Sequence, residues 1–228
     1  MMSRTLLALC TLCAVGTWTV SAQQPRNHGR LFPPQDLGLL EAPDRDQWQR
    51  PDRIMDALAI ADASVVADVG AGSGWFTIRL ARRVGPQGMV FAQDVQQEML
   101  SAISRRVQRE GLVNVRPILG RASDPNLPAN TLDAVLLVDA YHEIDDRVTL
   151  LSHIAQSLKP QGRIGVIDFK LTGGGGPGPD ADERVSPDVV TTDAARAGLR
   201  LVASETFLPY QYFLIFARQD RPTGEAKR

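Results

Sequence analysis

The run Val65-Val66-Ala67-Asp68-Val69-Gly70-Ala71-Gly72-Ser73-Gly74 constrains this chain more than any other segment. A short apolar stretch carries an acid near its end, and glycine then occupies every second place. Such a run reads as a buried strand entering a tight turn. Trp75 to Val84 follows with helical spacing and is stopped by Gly85-Pro86. Glycine tolerates positive φ and lets a ligand approach the backbone. The first turn of the helix offers N–H groups that can bind a carboxylate. A dinucleotide fingerprint would set its third glycine at position 75, where this chain has Trp75, so that reading fits poorly.

The same alternation continues downstream. Met89 to Val95 reads as a second strand, and Gln96 to Glu110 as an amphipathic helix with Met99, Leu100, Ile103 and Val107 inward. Val115 to Leu119 and Leu132 to Val138 read as the third and fourth strands. Asp146 to Leu158 is expected to be helical, with Val148, Leu151, Ala155 and Leu158 in register and Lys159-Pro160-Gln161-Gly162 ending it. Arg163 to Phe169 makes the fifth strand. Strands alternating with helices at this spacing imply right-handed crossovers and a mainly parallel sheet. After a helix from Ser186-Pro187 to Ala197, Leu199 to Leu208 and Tyr210 to Arg218 are separated only by Pro209. So short a connection allows an antiparallel pair and forbids a parallel crossover.

The ends divide into three parts. Residues 1–22 combine Arg4, an uncharged stretch from Thr5 to Val20 and the small residues of Val20-Ser21-Ala22, the pattern of a cleavable signal peptide. That predicts a periplasmic or secreted protein with no stable membrane span after cleavage. Both cysteines, Cys10 and Cys13, lie inside that segment, so the remainder has no thiol for a disulfide, metal site or nucleophile. Residues 23–50, rich in Pro, Gln, Asp and Arg, read as an extended arm. Residues 51–218 read as the single α/β domain, its first helix starting at Pro51 with Ile54, Leu58 and Ala61 on one face. Residues 219–228 read as a frayed tail. With a net charge of −1 and no Lys/Arg stripe, a nucleic-acid partner is not expected. Oligomeric state leaves no signature here.

The second strand ends in Phe91-Ala92-Gln93-Asp94-Val95, about twenty residues beyond the glycines. A carboxylate at that place can accept both hydroxyls of a ribose; Asp94 can also cap the following helix. Asp68 to Gly74, Asp94, the segment Leu132 to Glu143 and Leu158-Lys159-Pro160-Gln161-Gly162-Arg163 together resemble class I S-adenosylmethionine (SAM) dependent methyltransferases. The resemblance spans roughly Arg50 to Arg218 and is closest to the broad methyltransferase-domain group acting on small molecules.

It implies a Rossmann-like seven-stranded sheet in the order 3-2-1-4-5-7-6, strand seven antiparallel, with helices on both faces. It also implies SAM as cofactor, with Asp68, Gly70, Ala71, Gly72, Gly74, Asp94, Val95 and Asp139 around it. Relatives often carry an acid directly after the glycine ending strand three; here Gly120 is followed by Arg121, Ala122, Ser123 and only then Asp124. Either Asp124 swings in toward the adenine, or backbone groups near Ala122 and Ser123 read it while Asp124 forms a turn with Pro125. At the end of strand four, Asp139, Tyr141 and His142 are the candidate catalytic residues, His142 as a general base or as a helix-start residue bonded to backbone. Asp139 and Asp168 end adjacent strands and could share a divalent ion. Phe169 stands where such sites carry an amide, so no metal is expected. Trp48 is either a flap over the cofactor or a side chain clipped to the domain edge. The run Thr172-Gly173-Gly174-Gly175-Gly176-Pro177-Gly178-Pro179 is either a substrate lid or a plain connection. The resulting expectation is methyl transfer from SAM to a small-molecule acceptor, against a SAM- or adenosine-binding exported protein without transfer activity.

Overall fold

A computed structural model describes residues 31–172 and 176–219. The predicted leader (1–22), part of the arm, Gly173 to Gly175 and most of the predicted tail lie outside the described residues. Seven strands form one sheet: β1 (Val65–Val69), β2 (Met89–Asp94), β3 (Val115–Leu119), β4 (Leu132–Val138), β5 (Leu158–Phe169), β6 (Leu199–Glu205) and β7 (Gln211–Arg218). Their order is β3-β2-β1-β4-β5-β7-β6, as the resemblance implied. The first five pair in parallel, and β7 runs antiparallel to both β5 and β6.

The side-chain period of two sorts the central strands between two cores. On β4, Val135 and Leu137 join the core that includes Leu150, Leu151 and Ile154, whereas Ala134, Leu136 and Val138 join the core that includes Ile54, Trp75, Phe76 and Leu80. The first core is covered by α5 (Arg147–Ser157) and α6 (Pro187–Arg196). The second is covered by α2 (Pro51–Ala57) and α3 (Trp75–Val84). On α4 (Gln97–Arg109), Leu100 and Ile103 pack with Ala71 and Ala92 in a smaller cluster. With its central strands buried on both faces, the sheet presents its C-terminal edge and loops to a ligand.

Several boundaries differ from the sequence reading. The first helix stops at Ala57 and leaves Ala61 exposed, because Ala59 (φ 54) and Ala63 (φ 63) turn the chain through left-handed conformations. Lys159 to Gly162 do not end a helix but belong to β5, which begins by pairing Leu158 with Leu132 and shifts register before Arg163 meets Ala134. On α5 the buried apolar positions are Leu150, Leu151, Ile154 and Ala155; Val148 is only half-buried. β6 ends at Glu205 and β7 starts at Gln211, so the connection is longer than Pro209 alone. The described part of the arm is not extended: Pro34–Glu41 forms a 3-10 helix and α1 (Arg45–Gln49) packs onto the domain.

Candidate active site

The glycine turn opens at the C-terminal end of β1. Gly70, Gly72 and Gly74 all have positive φ (70°, 53° and 78°). At Gly70 the restriction is doubled, since a Cβ there would fall 2.6 Å from that of Ala140. Gly74 caps α3 against Ile103 of α4 and, unlike Gly70 and Gly72, lines neither cavity described below. The Gly72 N–H donates to Asp94 Oδ2 (2.9 Å) and the Gln96 N–H donates to Asp94 Oδ1 (3.0 Å). Asp94 thus ties the glycine turn to the start of α4. Asp68, also buried, accepts a 2.6 Å bond from Thr77 Oγ1 in the first turn-and-a-half of α3.

The glycine turn and the two acids border a cavity of about 360 Å³. Asp68, Gly70, Ala71, Gly72, Asp94, Val95, Ala122 and Asp139 line it, as expected, together with Arg121 and Gln96. Ser123 and Asp124 do not. The Ser123 carbonyl pairs with His153 Nδ1 at 2.8 Å, and the Asp124 carboxylate accepts the Asn126 N–H at 2.9 Å. Of the two readings of Asp124 the structure shows the turn, and Arg121 and Ala122 border the cavity in its place.

A second cavity, of about 500 Å³, is lined by Phe32, Leu39, Trp48, His142, Phe169, Pro177 and Pro179 among others. Leu31, Phe32, Leu40, Arg45, Asp139 and Glu143 border both. Most of this shared wall comes from the arm. The Phe32 N–H donates to Glu143 Oε2 (3.3 Å), and its carbonyl accepts from Gln96 Nε2 (3.0 Å). Arg45 Nη2 donates to Asp139 Oδ2 (3.1 Å), Nη1 to the Leu40 carbonyl (2.6 Å), and the guanidinium lies 4.4 Å from the Trp75 ring centroid. Asp139, with a strained φ of 56°, is also held by Gln49 and Gln211. Trp48 packs against Phe169 and Tyr210, with centroids 6.3 and 5.9 Å away, and lines the second cavity rather than the first.

Tyr141 is a correction. It is fully buried, its hydroxyl donates to Asp193 Oδ2 at 3.0 Å, and it lines neither cavity, so it packs α6 onto the domain instead of acting on a substrate. His142 does line the second cavity, and its Nδ1 lies 3.0 Å from both oxygens of Asp168. Asp139 and Asp168, weighed above as shared metal ligands, are committed to Arg45 and His142 respectively. Residues the sequence reading left out are Gln96, Leu40 and Phe32. Nothing in their local pattern marks them, because they reach the site through long-range contacts.

Burial dominates the titration of this region. It raises Asp68 to about 6 against the opposing Thr77 bond and Arg45 charge, and Asp139 to about 6 against Arg45. It raises Glu143 to about 7. For His142 burial acts downward, yet the bond and charge of Asp168, with Glu143 and Asp139, outweigh it and raise the imidazole. The unfolded chain releases the carboxyl protons near pH 4. Between about pH 4 and 7 the folded state therefore holds more protons than the unfolded one, and unfolding free energy falls as pH rises. His142 adds to this with the same sign, since its proton-linked stability is lost as pH rises through its raised value. The free protein is expected to be more stable at pH 5 than at pH 8 by on the order of 5 kcal/mol. Thermal scans at the two pH values check this; a higher Tm at pH 8 contradicts it.

The sheet order, the antiparallel seventh strand and the glycine turn facing an acid on β2 define the class I SAM-dependent methyltransferase fold. Residues 66–162 match the family model described as a methyltransferase domain. It is similar to the ubiquinone/menaquinone biosynthesis C-methyltransferase UbiE of Pasteurella multocida, 30% identical over 54% of this chain and 45% of that protein. It is also similar to nocamycin O-methyltransferase of Saccharothrix syringae, 32% identical over 50% of this chain and 41% of that protein. The matched region thus spans less than half the length of these relatives. A SAM-dependent methyltransferase from Aquifex aeolicus superposes with a TM-score of 0.77 at 27% identity, covering 81% of this chain and 98% of that one.

Proposed function

We propose that this chain is a SAM-dependent methyltransferase that binds SAM in the first cavity and a small-molecule acceptor in the second. The observation that carries this is the meeting of the two cavities at one shared wall containing Leu40, Arg45, Asp139 and Glu143. SAM, when bound, supplies an electrophilic methyl group on a sulfonium sulfur. The residues of the first cavity fit such a group. Gly70 leaves room where a Cβ would collide with Ala140, and Asp94 has a carboxylate suited to ribose hydroxyls. Asp68 offers a carboxylate to the ammonium of a zwitterionic amino-acid end, whose own carboxylate would meet the N–H groups of the first turn of α3. Val95 and Ala122 would border the base. The protein's contribution to rate is then to hold an acceptor at the boundary of the two cavities, in line with the methyl group, and to keep water out.

Calorimetric titration with S-adenosylhomocysteine (SAH), followed by turnover of labelled SAM with a panel of small molecules, tests the reading. Absence of SAH binding removes it; SAH binding without turnover on any acceptor favours the non-catalytic alternative. The described end of the glycine loop gives a second test. Pro177, Gly178 and Pro179 line the acceptor cavity, and a Cβ at Gly178 (φ 114) would fall 2.7 Å from the Phe169 ring. Gly178→Ala is expected to leave SAH affinity unchanged and to lower acceptor affinity about tenfold, a loss of roughly 1.4 kcal/mol. Unchanged steady-state KM for the acceptor would show that this loop is a connector only. We further infer that residues 1–22 are a cleaved leader and that the protein acts outside the cytoplasm. Support comes from the basic, apolar and small-residue succession. N-terminal sequencing from the native host that returned Met1 would refute it.

A further inference from the structure

We propose that the acceptor is an uncharged aromatic hydroxyl compound whose proton is taken by His142 Nε2, with Asp168 as the positioning residue behind that imidazole. This rests on the methyltransferase reading above and narrows it to a substrate class.

Asp168 ends β5 and is completely buried. Its Oδ2 accepts the backbone N–H of His142 (3.0 Å) and its Oδ1 that of Phe169 (2.8 Å). The carboxylate is anchored by the chain itself, and His142 Nδ1 is 3.0 Å from each oxygen. An ionised carboxylate only accepts hydrogen bonds, so Nδ1 carries the proton. Nε2 is left as the basic nitrogen of a side chain that lines the acceptor cavity. The arrangement fixes both the tautomer and the ring orientation, as a base must be fixed before it meets its substrate. Glu143 Oε1 lies 3.9 Å from Nε2, and Asp139 faces the same imidazole from the end of β4 with its charge met by Arg45.

The cavity selects the acceptor by shape and charge. Phe32, Leu39, Trp48, Phe169, Pro177 and Pro179 make its walls apolar. Aromatic rings bury a large apolar area against such walls while leaving a polar substituent free to hydrogen-bond. Its polar positions are mainly acidic, namely Asp139, Glu143 and Glu183, and its one arginine, Arg45, is already paired. An anionic acceptor would be desolvated beside like charges, which costs more than the slot returns. A neutral hydroxyl is a weak nucleophile until it loses its proton, and His142 Nε2, its ring fixed by Asp168, is placed to take that proton. In the balanced step the acceptor O–H proton goes to His142 Nε2 and the acceptor oxygen gains the methyl group. The sulfur–methyl bond of the sulfonium donor breaks, its electron pair staying on sulfur. The positive charge leaves the donor and ends on the imidazolium, opposite Asp168.

The test uses the full chain saturated with SAH and three probes of one shape: 4-phenylphenol, 4-phenylbenzoate and biphenyl-4-thiol. By calorimetry 4-phenylphenol is expected to bind at least tenfold more tightly than 4-phenylbenzoate. With labelled SAM, His142→Gln is expected to lower methylation of the phenol by about 10²- to 10⁴-fold. The same variant should affect the thiol, which ionises readily without a base, far less. Nitrogen NMR should find Nδ1 protonated in the neutral ring. Asp168→Asn should lower the His142 pKa and depress kcat for the phenol more than its KM. Failure of SAH to bind wild type would remove the methyltransferase reading itself. SAH binding with equal or tighter binding of the benzoate would overturn the acceptor class alone. Equal losses for phenol and thiol in His142→Gln would overturn the base, and a His142 pKa unmoved by Asp168→Asn would overturn the positioning role. SAH affinity in each variant reports whether it has folded.

Discussion

Asp94→Ala is expected to weaken SAH binding by about 30- to 150-fold, while Asp124→Ala changes it by less than about threefold. The first figure follows from two charge-assisted hydrogen bonds to ribose hydroxyls, at about 1.5–3 kcal/mol each with incomplete additivity, or about 2–3 kcal/mol together. Asp94 lines the cavity at the end of β2, and its carboxylate is oriented by the N–H groups of Gly72 and Gln96. Asp124 lies outside the cavity and its carboxylate serves the turn at Asn126. The free protein should tolerate Asp94→Ala well. Burial raises the pKa of this carboxylate, so the folded chain already disfavours its charge, and losing it offsets the two lost backbone partners. A large affinity loss at nearly constant Tm is therefore the expected pair of results. Equal affinity losses for the two variants would show that the ribose site is misplaced.

How legible the chain was depended on whether a boundary is made by local chemistry. Trp75–Val84, Val115–Leu119, Val65–Val69 and Leu132–Val138 agree with the sequence reading to the residue. The first is bounded by Gly74 and Gly85, both with positive φ, so its ends are written into residue type. The end of α2 is not, because the turn there uses Ala59 and Ala63 in conformations that alanine rarely takes. Lys159-Pro160-Gln161-Gly162 has every mark of a turn, yet pairing of Leu158 with Leu132 begins the strand before it. Strand pairing overrode local propensity.

The site divides in the same way. Asp68, Gly70, Gly72 and Asp94 lie on elements with strong sequence signals and were found from them. Leu40 and Phe32 reach the cavities from an arm whose local pattern is weak. The contact that fixes the arm, Arg45 to Asp139, joins residues 94 positions apart. No window of sequence contains both partners. The same limit applied to Asp168, visible as a strand-end acid but open to a metal role until the structure set His142 against it.

Arg45→Ala is expected to release the arm without unfolding the domain. The guanidinium joins four things at once: the Asp139 carboxylate, the Leu40 carbonyl and the Gln49 side chain within the arm, and the face of Trp75 on α3. Removing one partner of a buried ion pair costs about 3–5 kcal/mol when the other charge must stay buried. Here it need not. Asp139 is covered by Gln49, which belongs to the arm, and by Gln211 of β7. If residues 31–50 lift away, the carboxylate meets water and keeps its β7 partner, so local opening costs less than retaining an unpaired charge. The sheet and its two cores depend on neither residue. Hydrogen exchange over the arm should therefore accelerate about 100-fold, corresponding to about 2.7 kcal/mol, while the Tm of the domain moves by only a degree or two. SAH affinity and acceptor affinity should fall together, because Leu40, Phe32 and Arg45 belong to the wall between the two cavities. Arg45→Lys should restore part of the loss, keeping the charge but not the fork that reaches Leu40 and Asp139 together. Unchanged exchange in the arm with a large drop in Tm would instead make the arm an integral part of the fold.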